Sequence, residues 1–181
     1  MRTIAYVTAA IVGGLASAGA ASALTLTSPD VKQGGKIADE QVFNGFGCSG
    51  GNVSPELSWS GAPKGTKSFA ISMFDPDAPT GSGWWHWWVV NIPSDVTSLP
   101  KGASGGTGLP AGAMQGRTDF SANNYGGPCP PPGKPHHYQI TVYALDVDKL
   151  DVDQNASPAA IGFNAHAHTL AKTTLTGLYG R

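Results

Sequence analysis

The sequence predicts an all-β fold, an antiparallel β-sandwich with a short C-terminal helix, and three observations predict it. Twenty-five glycines and 14 prolines punctuate 181 residues, of which only 13% are charged; this suits short strands between turns better than long surface helices. The clearest periodicity is two: between Lys67 and Phe74, Phe69, Ile71 and Met73 alternate with Ser68, Ala70 and Ser72, the pattern of a strand with one buried side. Finally, strand-like segments do not alternate with helical ones, which disfavours a parallel α/β sheet.

The chain opens with the parts of a secretory signal. Arg2 is the charged start, Ile4, Val7, Ile11, Val12 and Leu15 form an apolar run, and Ala21-Ser22-Ala23 is a small-residue cleavage site. Glycines and serines interrupt the run, and it is short for a membrane span of about 20 residues. Residues 1–23 are therefore expected to be a signal peptide, and residues 24–181 one domain in the periplasm or outside the cell. Removing 23 of 181 residues leaves 158, enough for a real core. Losing Arg2 leaves 10 basic against 12 acidic side chains, a formal charge of −2, with no basic stripe; nucleic acid is excluded as a partner. In an oxidising compartment the only two cysteines, Cys48 and Cys129, are expected to bond. Closing that loop would stabilise the fold by about 4.5 kcal/mol in the chain-entropy model.

The later elements follow in order. Trp85 to Ile92 is apolar on both faces, as a central strand would be. His137 to Leu145 sets Tyr138, Ile140, Val142 and Ala144 on one face. Long loops run from Gly102 to Gly116 and from Ser121 to Pro135; such loops are functional or tied down, and Cys129 would tie the second. The helix signal is Ser157 as N-cap with Pro158 at the first helical position, predicting a helix from Ala159 to Lys172 and a short end strand from Thr173 to Tyr179. The acidic run Asp146 to Asp153 reads as a solvated turn, because Asp151 stands where a calcium loop needs glycine and no glutamate closes it.

Chemistry concentrates in Asp75 to Trp88, DPDAPTGSGWWHWW, where four of the five tryptophans flank His86. Side chains two apart on a strand point the same way. Asp75 shares the parity of Phe69, Ile71 and Met73; His86 shares a face with Trp84 and Trp88; His136 shares one with Tyr138 and Ile140. Buried polar groups need partners, so Asp75, His86, His136 and Tyr138 are expected to converge. Two imidazoles and a phenol can donate to an oxyanion while a carboxylate orients a ring; the same set could equally be a satisfied network that holds the sandwich together. His137, one residue out of phase, is expected to face solvent or the opposite side.

These motifs resemble a known family. DPDAP, the His86 segment ending in VVN, GPCPPPG and HHY stand between FNGFGCSGGNVSPELSW from Phe43 and the terminal TLTGLYGR, with Arg117-Thr118-Asp119-Phe120 among them. Together they are similar to the phosphatidylethanolamine-binding protein, or Raf kinase inhibitor-like, family, most of all its bacterial periplasmic branch. The resemblance implies a Greek-key sandwich with a small anion pocket built from Asp75, His86, His136 and Tyr138, with Pro130 or Pro131 as a wall. Cys129 interrupts the family's glycine-proline loop, so a disulfide is expected to shape that wall, and Trp87 and Trp88 would make the rim unusually aromatic.

The function this implies is binding of a small anion, such as a phospholipid headgroup, without catalysis, cofactor or metal, by a monomer or weak dimer. The alternative is a protease inhibitor or other interaction module that grips a protease or envelope protein through exposed tryptophans or loops. Gly47 to Gly51 fits the G-x-S-x-G nucleophile elbow, but Asn52-Val53-Ser54-Pro55 is a poor helix where the elbow needs one. Asp75, His86 and His136 are acceptable metal ligands by type, yet no histidine spacing supports a site, and His166 and His168, two apart on a helix, diverge. N-terminal sequencing of the exported protein is expected to begin at Leu24; a start at Met1 would overturn the cleavage.

Overall fold

The computed structural model describes residues 23–181. Apart from Ala23, the expected signal peptide lies outside the described residues. The elements in chain order are β1 (Thr25–Thr27), β2 (Asn44–Gly45), β3 (Cys48–Ser49), β4 (Leu57–Ser60), β5 (Ser68–Asp75), β6 (Trp84–Pro93), β7 (Ser98–Leu99), β8 (Met114–Gln115), β9 (His136–Leu145), α1 (Pro158–Ala167) and β10 (Thr169–Tyr179). Among the described residues no helix is long and apolar enough to cross a membrane.

All strand pairs within the sheets are antiparallel. Five strands form the main sheet in the order β10-β9-β5-β6-β8, and β1-β4-β7 form a second. Within the main sheet the order β9-β5-β6-β8 places the strand that returns last beside the first of the group, which is a Greek key. The sandwich core lies between the sheets: Leu57, Trp59 and Leu99 from one meet Phe69, Ile71, Met73, Val89, Ile140 and Val142 from the other.

The far face of the main sheet is also covered. Ala70, Trp88, Val90 and Leu145 pack there against Leu150, Ile161 and Ala165. This corrects the reading of Lys67–Phe74 as a strand buried on one side: Ser68, Ala70 and Ser72 are buried as well, because α1 and the Asp146–Asp153 turn lie over them. Small residues fit there since they leave room for those covering side chains. The turn is mostly exposed as expected, but Leu150 plugs the second core and its amide donates to the Asn91 side chain at 2.8 Å.

The helix starts as the sequence indicates and stops sooner. Ser157 caps the Ala160 amide, with Pro158 in the first turn, but the helix ends at Ala167 rather than Lys172. From Thr169 the chain becomes β10, eleven residues instead of the short strand expected from Thr173. The β-branched threonines of this stretch favour a strand, and β10 runs along all of β9 from Leu145 to His136. That ladder, interrupted only by a bulge between Thr169 and Ala171, outweighs the helix propensity of Ala171 and Lys172.

Cys48 and Cys129 are bonded, with Cα atoms 6.0 Å apart. Ser49 of the G-x-S-x-G run ends the two-residue strand β3, which pairs with β2, and the next element is the strand β4. The strand-to-helix turn of a nucleophile elbow is not formed there.

Ile161 is fully buried on the second core while Phe163, two residues on, is 76% exposed. Ile161→Ala should therefore cost about 3 kcal/mol in urea denaturation, whereas Phe163→Ala should change stability by less than about 0.5 kcal/mol.

Candidate functional site

A turn, a strand bulge and two crosslinked loops build one cavity at the end of the sandwich. In the turn, Asp75 Oδ1 accepts the Asp77 amide at 2.8 Å, a local Asx turn that the DPD sequence favours. The turn closes at Gly83, whose φ of 75° suits glycine; a Cβ there would lie 2.3 Å from the Phe74 ring.

The bulge sits at His86. Trp87 pairs with Met73 and Trp85 with Phe74, so His86 is an extra residue without a partner across the ladder. Alternation breaks at that point. His86 and Trp87 both face the sandwich side, while Trp85 and Trp88 both face α1. The expectation that His86 shares a face with Trp88 is thus wrong, and so is that of a rim formed by Trp87 and Trp88. Trp87 is buried in the core and donates from its indole to Gln115 at 2.8 Å. None of the five tryptophans is exposed, which removes exposed tryptophans as a grip for a partner. Of the four around His86 only Trp84 lines the cavity.

The four polar residues do converge. Asp75, His86, His136 and Tyr138 line one cavity of about 150 Å³, with Pro130 and Pro131 in its wall. His136 Nδ1–H donates to Asp75 Oδ2 at 2.8 Å, so a carboxylate orients this ring and both its oxygens are engaged. His86 Nδ1–H donates to the Gly126 carbonyl at 2.6 Å, while the Gly126 amide returns a bond to the His86 carbonyl at 3.0 Å. Burial pushes the His86 pKa down to about 4 against the pull of the Gly126 carbonyl and the Asp75 charge. Tyr138 stands edge-on to His86, ring centres 5.1 Å apart. Its hydroxyl is buried with no partner, and burial, reinforced by Asp75, pushes its pKa up. His137 faces solvent and bonds Asp77 Oδ2 at 2.7 Å.

Other residues complete the site without having been singled out from the sequence. Phe120 packs edge-on to both His86 and Trp84, and neighbouring Asp119 accepts the Trp85 amide at 2.7 Å, fastening this loop to β6. Gly126 has to be small, since a Cβ would lie 2.5 Å from the Phe120 ring. Asn52 accepts the Gly127 amide at 2.8 Å and donates to the Tyr125 carbonyl at 3.3 Å. Phe46 closes the mouth, 67% exposed. The Arg181 guanidinium donates to the carbonyls of Pro130, Gly47 and Phe46 at 2.7, 3.1 and 3.2 Å, clamping the same two loops that Cys48–Cys129 joins. Several of these residues stand in the quoted motifs, but their partners are backbone carbonyls and aromatic faces far away in sequence, so the motifs by themselves do not show the contacts. Among the described residues no group of three or more His, Cys, Asp or Glu is placed to hold a metal ion.

Residues 27–180 match the family model described as phosphatidylethanolamine-binding protein. The chain belongs to the phosphatidylethanolamine-binding protein family. Among its relatives it is 54% identical over 162 residues to the UPF0098 protein YbcL of Escherichia coli K12, covering 88% of each chain. It is 50% identical over 157 residues to the UPF0098 protein YbhB of the same strain, covering 86% of this chain and 99% of that one. The crystal structure of E. coli YbcL, described as a new member of the mammalian PEBP family, superposes with a TM-score of 0.85 at 53% identity over 87% of this chain and 98% of that one. The antiparallel Greek-key sandwich is therefore the fold of this family.

The depressed His86 pKa makes stability depend on pH. The ordinary, unfolded value is 6.5 and the folded value about 4, so between these pH values the unfolded chain holds the extra proton. Stability is complete above 6.5 and falls as pH drops toward 4. Chemical denaturation at pH 7 and pH 4 should show a larger loss in the wild type than in His86→Gln, by a margin on the order of 3 kcal/mol; equal losses would remove His86 from this role.

Proposed function

We propose that this protein is an exported, non-catalytic binding protein that holds a small anion, phosphate-bearing or carboxylate, such as a phospholipid headgroup, in the Asp75–His86–His136–Tyr138 cavity. The observation that carries this reading is the Tyr138 hydroxyl. Buried and without a partner, it costs the empty protein about 1–3 kcal/mol, and an arriving oxyanion would relieve that cost by accepting from it. The name of the family supports a phosphate-bearing ligand. The apolar walls given by Phe120, Trp84 and the prolines would strengthen each polar contact by excluding water.

Binding without reaction is favoured by what lines the cavity. Thr80 donates its hydroxyl to the Gly83 carbonyl, Cys129 is held in the disulfide, and the Tyr138 pKa is raised, so none of the three is an activated nucleophile. Export is supported by the signal-like residues 1–23 and by the disulfide, which belongs in an oxidising compartment. The alternative of a protease inhibitor or interaction module rests on Phe46 at the rim, and is weaker because one exposed aromatic is ordinary on a protein surface.

Tyr138→Phe separates a binding hydroxyl from a structural one. Removing an unpaired buried group should raise the stability of the empty protein while weakening its affinity for inorganic phosphate or phosphoethanolamine about tenfold, the worth of one hydrogen bond. Calorimetric titration beside thermal unfolding reads both. Wild-type protein that binds neither probe would sink the proposal.

A further inference from the structure

The direction of one hydrogen bond decides which oxyanion the cavity can accept. His86 Nδ1 lies 2.6 Å from the Gly126 carbonyl oxygen, which can only accept, so Nδ1 carries the ring proton. A neutral imidazole has a single N–H. The ring lines the cavity, and with the proton on Nδ1 its other nitrogen, Nε2, is an acceptor. Turning it into a donor requires a second proton and a full charge on a side chain only 3% exposed, where burial opposes the charge.

The neighbours do not offset that cost. On β5, Asp75 is already bonded to the Asp77 amide and to His136. On β9 stand His136, itself a base, and the neutral Tyr138. On the adjoining loop, Asp119 is turned to the Trp85 amide. Among the described residues no lysine or arginine lines the cavity, so a dianion would meet the Asp75 carboxylate with little cationic compensation. The cavity is thus lined by a residue with an unpartnered donor, the Tyr138 hydroxyl, and by a ring whose remaining nitrogen accepts, the two ring centres 5.1 Å apart.

We propose, building on the anion-binding reading above, that the cavity selects an oxyanion that still carries a proton, namely the monoanion of phosphate or of a phosphate monoester, over phosphodiesters, carboxylates and sulfate. The P–OH donates to His86 Nε2 while a charged oxygen accepts from Tyr138. This chemistry is shared by inorganic phosphate, soluble monoesters and lipids that end in a monoester. An ordinary phospholipid headgroup is a diester, has no proton to give, and is disfavoured.

Calorimetric titration of the wild-type protein with methyl phosphate, dimethyl phosphate and sulfate between pH 5.5 and 8 tests this. At pH 5.5 methyl phosphate should bind at least about tenfold tighter than the other two, one hydrogen bond's worth, with uptake of no more than about a quarter of a proton, that needed to protonate the dianion fraction of the ligand, when buffers of different ionisation enthalpy are compared. Above the monoester's second pKa, near about 6, its affinity should fall roughly tenfold per pH unit. Dimethyl phosphate binding as tightly as methyl phosphate, dimethyl phosphate binding with any proton uptake, or methyl phosphate binding with uptake of close to a full proton at pH 5.5, would place the proton on the ring and overturn the selection while leaving anion binding intact. Binding of none of the three removes the anion reading itself. Vesicles of phosphatidylcholine doped with phosphatidic acid or with phosphatidylethanolamine separate the sources. Capture by the first alone supports a lipid monoester, capture by neither together with methyl phosphate binding supports a soluble one, and equal capture overturns the proposal.

Discussion

The site depends on one extra residue in β6. Had the ladder with β5 run unbroken, His86 would sit opposite a partner and its neighbours would keep strict alternation. Because Trp87 pairs with Met73 and Trp85 with Phe74, His86 is left over, and bulges of this kind bend a strand and re-aim a side chain. The freed backbone is taken up by Gly126, which exchanges one bond with the His86 main chain and one with its ring. A single local irregularity therefore points the imidazole at Tyr138, fixes its tautomer and recruits the loop that carries Phe120. It also sends Trp85 and Trp88 to the opposite face, where they help seat α1.

Around this bulge the walls are held by crosslinks rather than by strands. The loops bearing Phe46 and Pro130 have little regular structure, and loops of that kind are ordinarily the least stable parts of a fold. Here they are tied covalently by Cys48–Cys129, electrostatically by the forked Arg181 donors, and through Asn52, which binds the Tyr125–Gly127 backbone. Arg181 suits the place because a planar guanidinium can satisfy several carbonyls at once without a counter-carboxylate. A preformed cavity loses little conformational entropy when a ligand arrives, and that favours a binding role for a space this small.

The polar inventory of the cavity is deliberately sparse. Asp75 is consumed by His136 and the Asp77 amide, Nδ1 of His86 by Gly126, and the Tyr138 hydroxyl is left buried and unmet. In an apolar surround each remaining donor or acceptor carries more discrimination than it would in water, because a mismatch leaves it unpaired. A site with few polar groups, each of fixed sense, is suited to telling one small anion from another.

Much of the architecture was legible in the residues because it follows from local rules. Alternation in Phe69, Ile71 and Met73 placed Asp75 on the sandwich side, and the parity of His136 and Tyr138 held, since β5 and β9 pair without interruption from Ser68 to Phe74. Ser157 and Pro158 marked the start of α1 by the chemistry of caps. Composition and the paired cysteines indicated an all-β, crosslinked domain. Parity failed at Trp88 because a bulge shifts alternation by one and has no sequence signature in a run of tryptophans. The end of α1 was misread because β9 supplies a partner for Thr169 onward that local propensity does not see. The second buried face of β5, the Arg181 clamp, Asn52 and the Phe46–Phe120 rim were decided by tertiary structure alone, for each depends on groups dozens of residues away that only the closed sandwich brings within reach.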